Sequence, residues 1–224
     1  MVNINTVYQT VLALANKEQR GYITPQEFNL FANQAQMSIF EQYFYDINQF
    51  NRVPGNDTAY ADMTSLLEEK ISIFEKSANI SAGTIPVDLY KIQSVIYNTK
   101  PVEQVTAKEY LEMEGVALCK PSNSKPVYYK QNNQIFVYGD SQILSPWINY
   151  VRKPENPNWT YFVVDEKAVY NESAVDHRNF EVHASEQTDL VIKILQLAGI
   201  TLKDPSLYQV ASSEENKNIQ QQKA

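Results

Sequence analysis

His177 and His183 are the only imidazoles in this 224-residue chain, and three carboxylates, Asp176, Glu181 and Glu186, lie close to them. A zinc centre needs ligands at fixed positions on one helix face or in a standard local pair. A separation of six residues supplies neither, so loop histidines are the expected reading and no metal is assigned. Gly21-Tyr22-Ile23 and Glu27-Phe28 match the second half of an EF-hand loop. In that register Asn16, Glu18 and Arg20 would be the first ligand positions, and a cation at the third of them repels Ca²⁺. The pairs Glu68-Glu69, Asp165-Glu166 and Glu214-Glu215 are sequence neighbours, which do not share a helix face and make poor acid–base dyads. Cys119 is the single cysteine, read as a small buried apolar residue rather than a nucleophile. The six glycines are all isolated, so no phosphate-cradling loop exists. Tyr128-Tyr129-Lys130 could stack on bases, but alternation of core and surface tyrosines along a strand explains it better.

The elements that would position these residues centre on Pro126 to Pro157. Val127 to Lys130 and Ile135 to Tyr138 are β-branched and aromatic runs flanking a polar turn with Asn132 and Asn133, a hairpin signal. Trp147 to Arg152 adds a third strand, closed by Pro154 and Pro157. Before this core, Ile4, Val7, Tyr8, Val11, Leu12 and Ala15 recur at helical spacing and predict a helix over 3–16, followed by a turn at Arg20-Gly21. Thr24-Pro25-Gln26-Glu27 is a capping box with proline at the first helical position, and Ile23 and Phe28 are placed to staple the entry. The second helix carries Phe28, Phe31, Ala32, Ala35, Ile39, Tyr43, Ile47 and Phe50 along one stripe, and Val53 to Asp57 end it. A third helix is expected over 58–78, with Met63, Leu66, Leu67, Lys70 and Phe74.

From Gly83 the period changes to strand, with Tyr90 to Tyr97 alternating. Thr106 and Glu109 form a second capping box opening a short helix that Gly115 stops. Strands are expected over Trp159–Val164 and near Ala168–Tyr170, then a short extended piece at Phe180-Glu181-Val182. Ser185 would cap a last helix ending at Gly199, Asp204-Pro205 restarts a helical turn, and Ala211 to Ala224 is nearly all polar. The fold class is therefore α+β: an N-terminal antiparallel helical bundle, an inserted small antiparallel β-domain, a C-terminal helix packing back on the bundle, and an extended polar tail. The boundaries read 1–82, 83–178, 179–208 and 209–224.

With 43% hydrophobic residues, 15 Tyr and 9 Phe, the chain has ample material for a packed core. A net charge of −7 argues against a protein that grips nucleic acid through its phosphates. The first residues have neither a basic region nor a long apolar run, and no apolar stretch nears the roughly 20 residues of a membrane span. A soluble protein made in the cytoplasm, with no membrane partner, is the expectation.

The ordered set of Ile85-Pro86-Val87-Asp88-Leu89-Tyr90, Pro126-Val127-Tyr128-Tyr129, Ile135-Phe136-Val137-Tyr138, Ile148-Asn149-Tyr150-Val151-Arg152-Lys153-Pro154, Asn179-Phe180-Glu181-Val182, Ser185-Glu186 and Ala198-Gly199-Ile200 resembles a known family. It is similar to the head-to-tail adaptor (tail tubular or gatekeeper) ring proteins of short-tailed phages, closest to the ring proteins of crAss-like phages. The likeness spans residues 1–205. It implies a virion structural protein at the head-to-tail interface, forming a homo-oligomeric ring, usually of twelve copies, below the portal protein. Such a ring extends the DNA channel, lets genomic DNA pass without specific binding, and docks the next tail ring or hub. It implies no enzyme activity, catalytic residue, cofactor or metal.

The residues fit that role through surfaces. The Phe28, Phe31, Ile39, Tyr43 and Phe50 face of the second helix is expected to pack the core, and its polar flank, Gln34, Gln36, Glu41 and Gln42, to meet a neighbouring subunit. Two alternatives stay open here. One is another tail or fibre-attachment protein of the same virion; the other is a glycan hydrolase using Asp165 or Glu166 beside an aromatic cleft around Trp147 and Trp159.

Overall fold

A computed structural model describes residues 1–17, 23–50, 58–81 and 83–201. The turns expected at Arg20-Gly21 and Val53–Asp57, the side chains of Phe50 and Met63, the turn at Asp204-Pro205 and the polar tail lie outside the described residues. The protein is α+β, and its chain separates into two compact units, one formed by 1–73 with 154–224 and the other by 74–153.

The first unit holds α1 (Ile4–Lys17), α2 (Pro25–Phe50), α3 (Thr58–Ser72) and α5 (Gln187–Thr201). Asn3 starts α1 by accepting the N–H groups of Asn5 and Thr6 through its side-chain oxygen. At α2 the Glu27 carboxylate accepts the Thr24 N–H at 2.9 Å and the Thr24 hydroxyl accepts the Glu27 N–H at 3.3 Å, the reciprocal box read from the sequence. Ile23 and Phe28 on either side of it are both buried. The 26 residues of α2 would span about 39 Å at 1.5 Å per residue. α5 packs against α1 and α2, and α3 against α2.

Both ends of α5 depart from the sequence reading. The α5 entry is a short 3-10 turn over Ala184–Glu186 whose cap is His183, not Ser185: the His183 Nδ1 accepts the Ser185 N–H at 3.2 Å. Gly199 is buried inside α5 and does not end it. Its flanks, Ala198 and the long apolar run before it, favour continued packing over a stop.

The second unit opens where the third helix was expected to continue. α3 stops at Ser72, and Glu75–Asn79 is strand β1, held in antiparallel register by Trp147–Val151. The flanking Phe74 and Ile80 are fully buried, so tertiary capture outweighs the weak strand preference of Glu-Lys-Ser-Ala-Asn. The remaining strands are β2 (Leu89–Tyr97), β3 (Lys100–Pro101), β4 (Glu103–Gln104), β5 (Val127–Gln131), β6 (Gln134–Tyr138), β7 (Gln142–Ile143) and β8 (Trp147–Arg152). They make two four-stranded sheets, β1-β8-β2-β3 and β4-β5-β6-β7. The Trp147–Arg152 strand therefore does not extend the β5–β6 hairpin; it pairs between β1 and β2. The β4–β5 contact is parallel, so the unit is mixed rather than purely antiparallel.

The β5–β6 turn has Asn132 and Asn133 at φ 49° and 59°, the left-handed pair a type I′ turn needs. Side chains of both sheets share one core, with Val95, Ile148 and Tyr150 from one and Tyr128, Ile135 and Val137 from the other. Gly83, at φ +77°, crosses β6 so closely that an added Cβ would lie 2.3 Å from the Ile135 carbonyl oxygen. α4 (Ala107–Glu114) follows the Thr106–Glu109 capping box and ends at Gly115, as its sequence signals require.

The division at 73/74 and 153/154 differs from boundaries at 83 and 178. The hairpin of β9 (Tyr161–Val164) and β10 (Lys167–Tyr170) belongs to the helical unit, anchored there by Trp159.

Candidate functional site

A helix advances 100° per residue, so positions three, four and seven apart share a side. On α2, Leu30, Gln34, Glu41, Tyr45 and Asn48 fall on one stripe, and all are exposed. Leu30 and Tyr45 keep 68% and 57% of their surface open, large values for apolar and aromatic side chains on one helix. Phe28, Ala32, Ala35, Ile39 and Tyr43 occupy the opposite side and are buried. Gln34 and Glu41, two residues expected at a subunit contact, thus stand on a free face beside two exposed hydrophobic residues.

The other two do not. Gln42 is half-buried and donates to Asp46 Oδ1 at 2.7 Å. Gln36 is 2% exposed and is corrected from a surface to an interior residue. Its amide donates to the Glu155 carbonyl at 2.7 Å and its oxygen accepts the Glu181 N–H at 2.9 Å. The Glu181 carboxylate closes the circuit by accepting the Glu155 N–H at 2.7 Å. Asn29, seven residues before Gln36, repeats the device: it accepts the Trp159 N–H at 2.8 Å and donates to the Trp159 carbonyl at 3.2 Å. A polar edge of α2 therefore satisfies backbone groups of Glu155 and Trp159, while Asn158 between them pairs with the backbone of Arg178.

Trp159 is buried at 2% exposure, its indole N–H donating to Asn5 Oδ1 at 3.1 Å. Its ring meets Tyr8 at 4.3 Å and stacks with Tyr161 and Tyr170, each at 5.7 Å. This fixes the base of the β9–β10 hairpin, whose outer part is apolar and open. Phe162, Val163, Val164 and Val169 are all exposed, Val163 at 66%. Together with the α2 stripe, these are surfaces where, among the described residues of the helical unit, exposed apolar side chains gather on one element.

The residues singled out for chemistry have structural work. Asp165 and Glu166 form the β9–β10 turn at φ 47° and 63°, at its exposed tip. Trp147 lies in the other compact unit, and the buried Trp159 ring cannot offer an open stacking surface. His177 Nε2 is 2.8 Å from the Tyr170 hydroxyl, His183 caps a helical turn, and Glu186 pairs with Lys70 at 2.5 Å. Among the described residues no group of three His, Cys, Asp or Glu side chains is placed to hold a metal. Cys119 is exposed, in a turn after α4 rather than in the core: it follows a helix with no buried residue, so nothing draws it inward. Tyr128 faces the core, and Tyr129 stacks with Phe136 and Tyr138 on the other side of the hairpin, under Tyr110 of α4. No helix among the described residues is long and apolar enough to cross a membrane.

The network through Asn29 and Gln36 was missed in the sequence because amide side chains inside a helical stripe read as surface. The one available signal was their seven-residue spacing. Compared with known proteins, the chain matches no family model and no curated relative.

Proposed function

We propose that the chain is a virion structural protein that assembles into a closed ring, of twelve copies in the family it resembles, between portal and tail. In this reading the ring extends the channel through which genomic DNA passes and presents a platform for the next tail component. The observation that carries it is the α2 stripe: Leu30 and Tyr45 exposed beside Gln34 and Glu41 on a 26-residue helix otherwise committed to its own core. An aromatic and an aliphatic side chain rimmed by polar groups have the composition of a contact patch between proteins. A repeated head-to-tail contact closes into a ring when the rotation permits. The acidic chain, at net charge −7, offers passing DNA few phosphate partners.

Native mass spectrometry of the full chain tests this reading. A large closed oligomer is expected, and Glu41→Lys combined with Tyr45→Ser should weaken it by about tenfold or more, the scale of losing one aromatic contact residue. A monomer at every concentration, or a ring indifferent to both substitutions, counts against it.

A further inference from the structure

The β9–β10 hairpin has a backbone arrangement that selects its own partner. The Asn171 N–H donates to the Thr160 carbonyl at 2.9 Å, making Thr160 and Asn171 a hydrogen-bonded pair. Antiparallel pairs alternate between bonded and non-bonded. In the observed register, Phe162–Val169 and Val164–Lys167 are then bonded, whereas Tyr161–Tyr170 and Val163–Ala168 are not. The N–H and C=O groups of Tyr161 and Val163 on β9, and of Ala168 and Tyr170 on β10, therefore point out of the hairpin along its two edges. Among the described residues no strand pairs with either edge. An isolated two-stranded ribbon is marginal in water, and an open apolar edge is a template for another strand.

We infer that β9 of one copy pairs with β10 of the next, so that the ring carries a continuous antiparallel band of hairpins. This deepens the ring reading and rests on it. Copies related by rotation about a ring axis keep their hairpins in the same sense. β9 of one copy and β10 of its neighbour then run in opposite directions, as antiparallel pairing demands. In the unshifted register Val163 faces Ala168 of the next copy and Tyr161 faces its Tyr170, with all their outward backbone groups meeting. The Lys167 ammonium of one copy then sits at the Val164–Asp165 corner of another, beside the acidic turn of Asp165 and Glu166, so opposite charges adjoin at the tips. A two-fold pairing of β9 with β9 would use one edge twice and leave the other open. The head-to-tail arrangement consumes both, and closure removes every edge.

The test uses the full chain in a Cys119→Ser background, with Val163→Cys and Ala168→Cys made in separate proteins. Facing Cα atoms in a bonded antiparallel pair lie about 5.5 Å apart, within disulfide range. Mild oxidation of the mixture should give cross-linked dimers, and neither protein alone should. Val163→Pro removes only an outward N–H, sparing the hairpin's own bonds, and should weaken assembly by about fivefold per contact, the loss of one hydrogen bond. Rings that form without the mixed cross-link and are indifferent to Val163→Pro would overturn the edge pairing and leave the ring standing. Cross-links from Val163→Cys alone would overturn it in favour of a two-fold contact. A parent protein that stays monomeric throughout would overturn both readings.

Discussion

Replacing Gln36 separates an interior role from an interface role. The residue is 2% exposed, and its two hydrogen bonds, 2.7 Å to the Glu155 carbonyl and 2.9 Å from the Glu181 N–H, have backbone partners. Gln36→Met keeps the volume and removes both bonds. Each abandoned backbone group then bears its desolvation penalty of about 1–3 kcal/mol, giving about 2–6 kcal/mol for the pair. For a chain of this size that is on the order of 4–24 °C in Tm. Gln36→Glu should be worse, because it keeps an acceptor for the Glu181 N–H but sets a carboxylate against the Glu155 carbonyl and near the Glu181 carboxylate. The assay follows from the distribution of tryptophan, one in each compact unit. Trp147→Phe, at an exposed site, leaves the buried Trp159 as sole reporter of the helical unit, and urea titration of its fluorescence gives the midpoint with the slope as a check on cooperativity. A Gln36→Met midpoint within about 0.5 kcal/mol of the parent would refute the claim that this circuit holds the unit together. So would a variant of unchanged stability that no longer assembles, since that returns Gln36 to the surface.

The same titration applies to Lys70, whose ammonium reaches the 6% exposed Glu186 at 2.5 Å and lies 5.6 Å from the centre of the Tyr43 ring. Lys70→Met strands a buried carboxylate and should cost about 3–5 kcal/mol, while adding Glu186→Gln should recover most of it; a neutral single variant would show that the pair constrains nothing. In the other unit, burial opposes ionisation of Asp88, but bonds from Lys76 Nζ and the Tyr150 hydroxyl, both at 3.0 Å, outweigh it and hold its carboxyl below the usual range. A depressed carboxylate contributes stability above its unfolded pKa of about 3.9 and loses it as pH falls through the folded value. Protection of Leu89–Tyr97 against hydrogen exchange, relative to the intrinsic rate at each pH, should therefore fall on acidification below about pH 4, and Asp88→Asn should flatten that dependence; an unaltered acid slope would remove Asp88 from the account.

Local chemistry was the legible part of this fold. Both capping boxes, the Asn132-Asn133 turn and the long α2 follow from residue types a few positions apart, and each appears where those residues require it. What could not be read depended on distant partners. Glu75–Asn79 becomes a strand because Trp147–Val151 offers it a ladder, and nothing within five residues of it says so. The three strands around Pro126 to Arg152 look like one sheet in order, yet the third crosses to another because β2, some fifty residues earlier, lies beside it.

The interface expectation met the same limit on a single helix. Periodicity assigns α2 an apolar side and treats whatever is polar as outward, so Gln34 and Gln36 read alike. They stand two residues and 200° apart. Leu30 and Tyr45, apolar by type, share the exposed side with Gln34, whereas Gln36 and Asn29 face the chain that returns at Pro154 and needs hydrogen-bond partners. Amphipathic pattern alone orders a helix by affinity for water, but burial follows from what packs against it. When the neighbour is an extended segment with unpaired backbone, amide side chains are the complementary choice and apolar ones are not. A buried Gln36 thus follows from the surface that its side of α2 meets. On the Leu30 side, the proposed match is another copy of this chain.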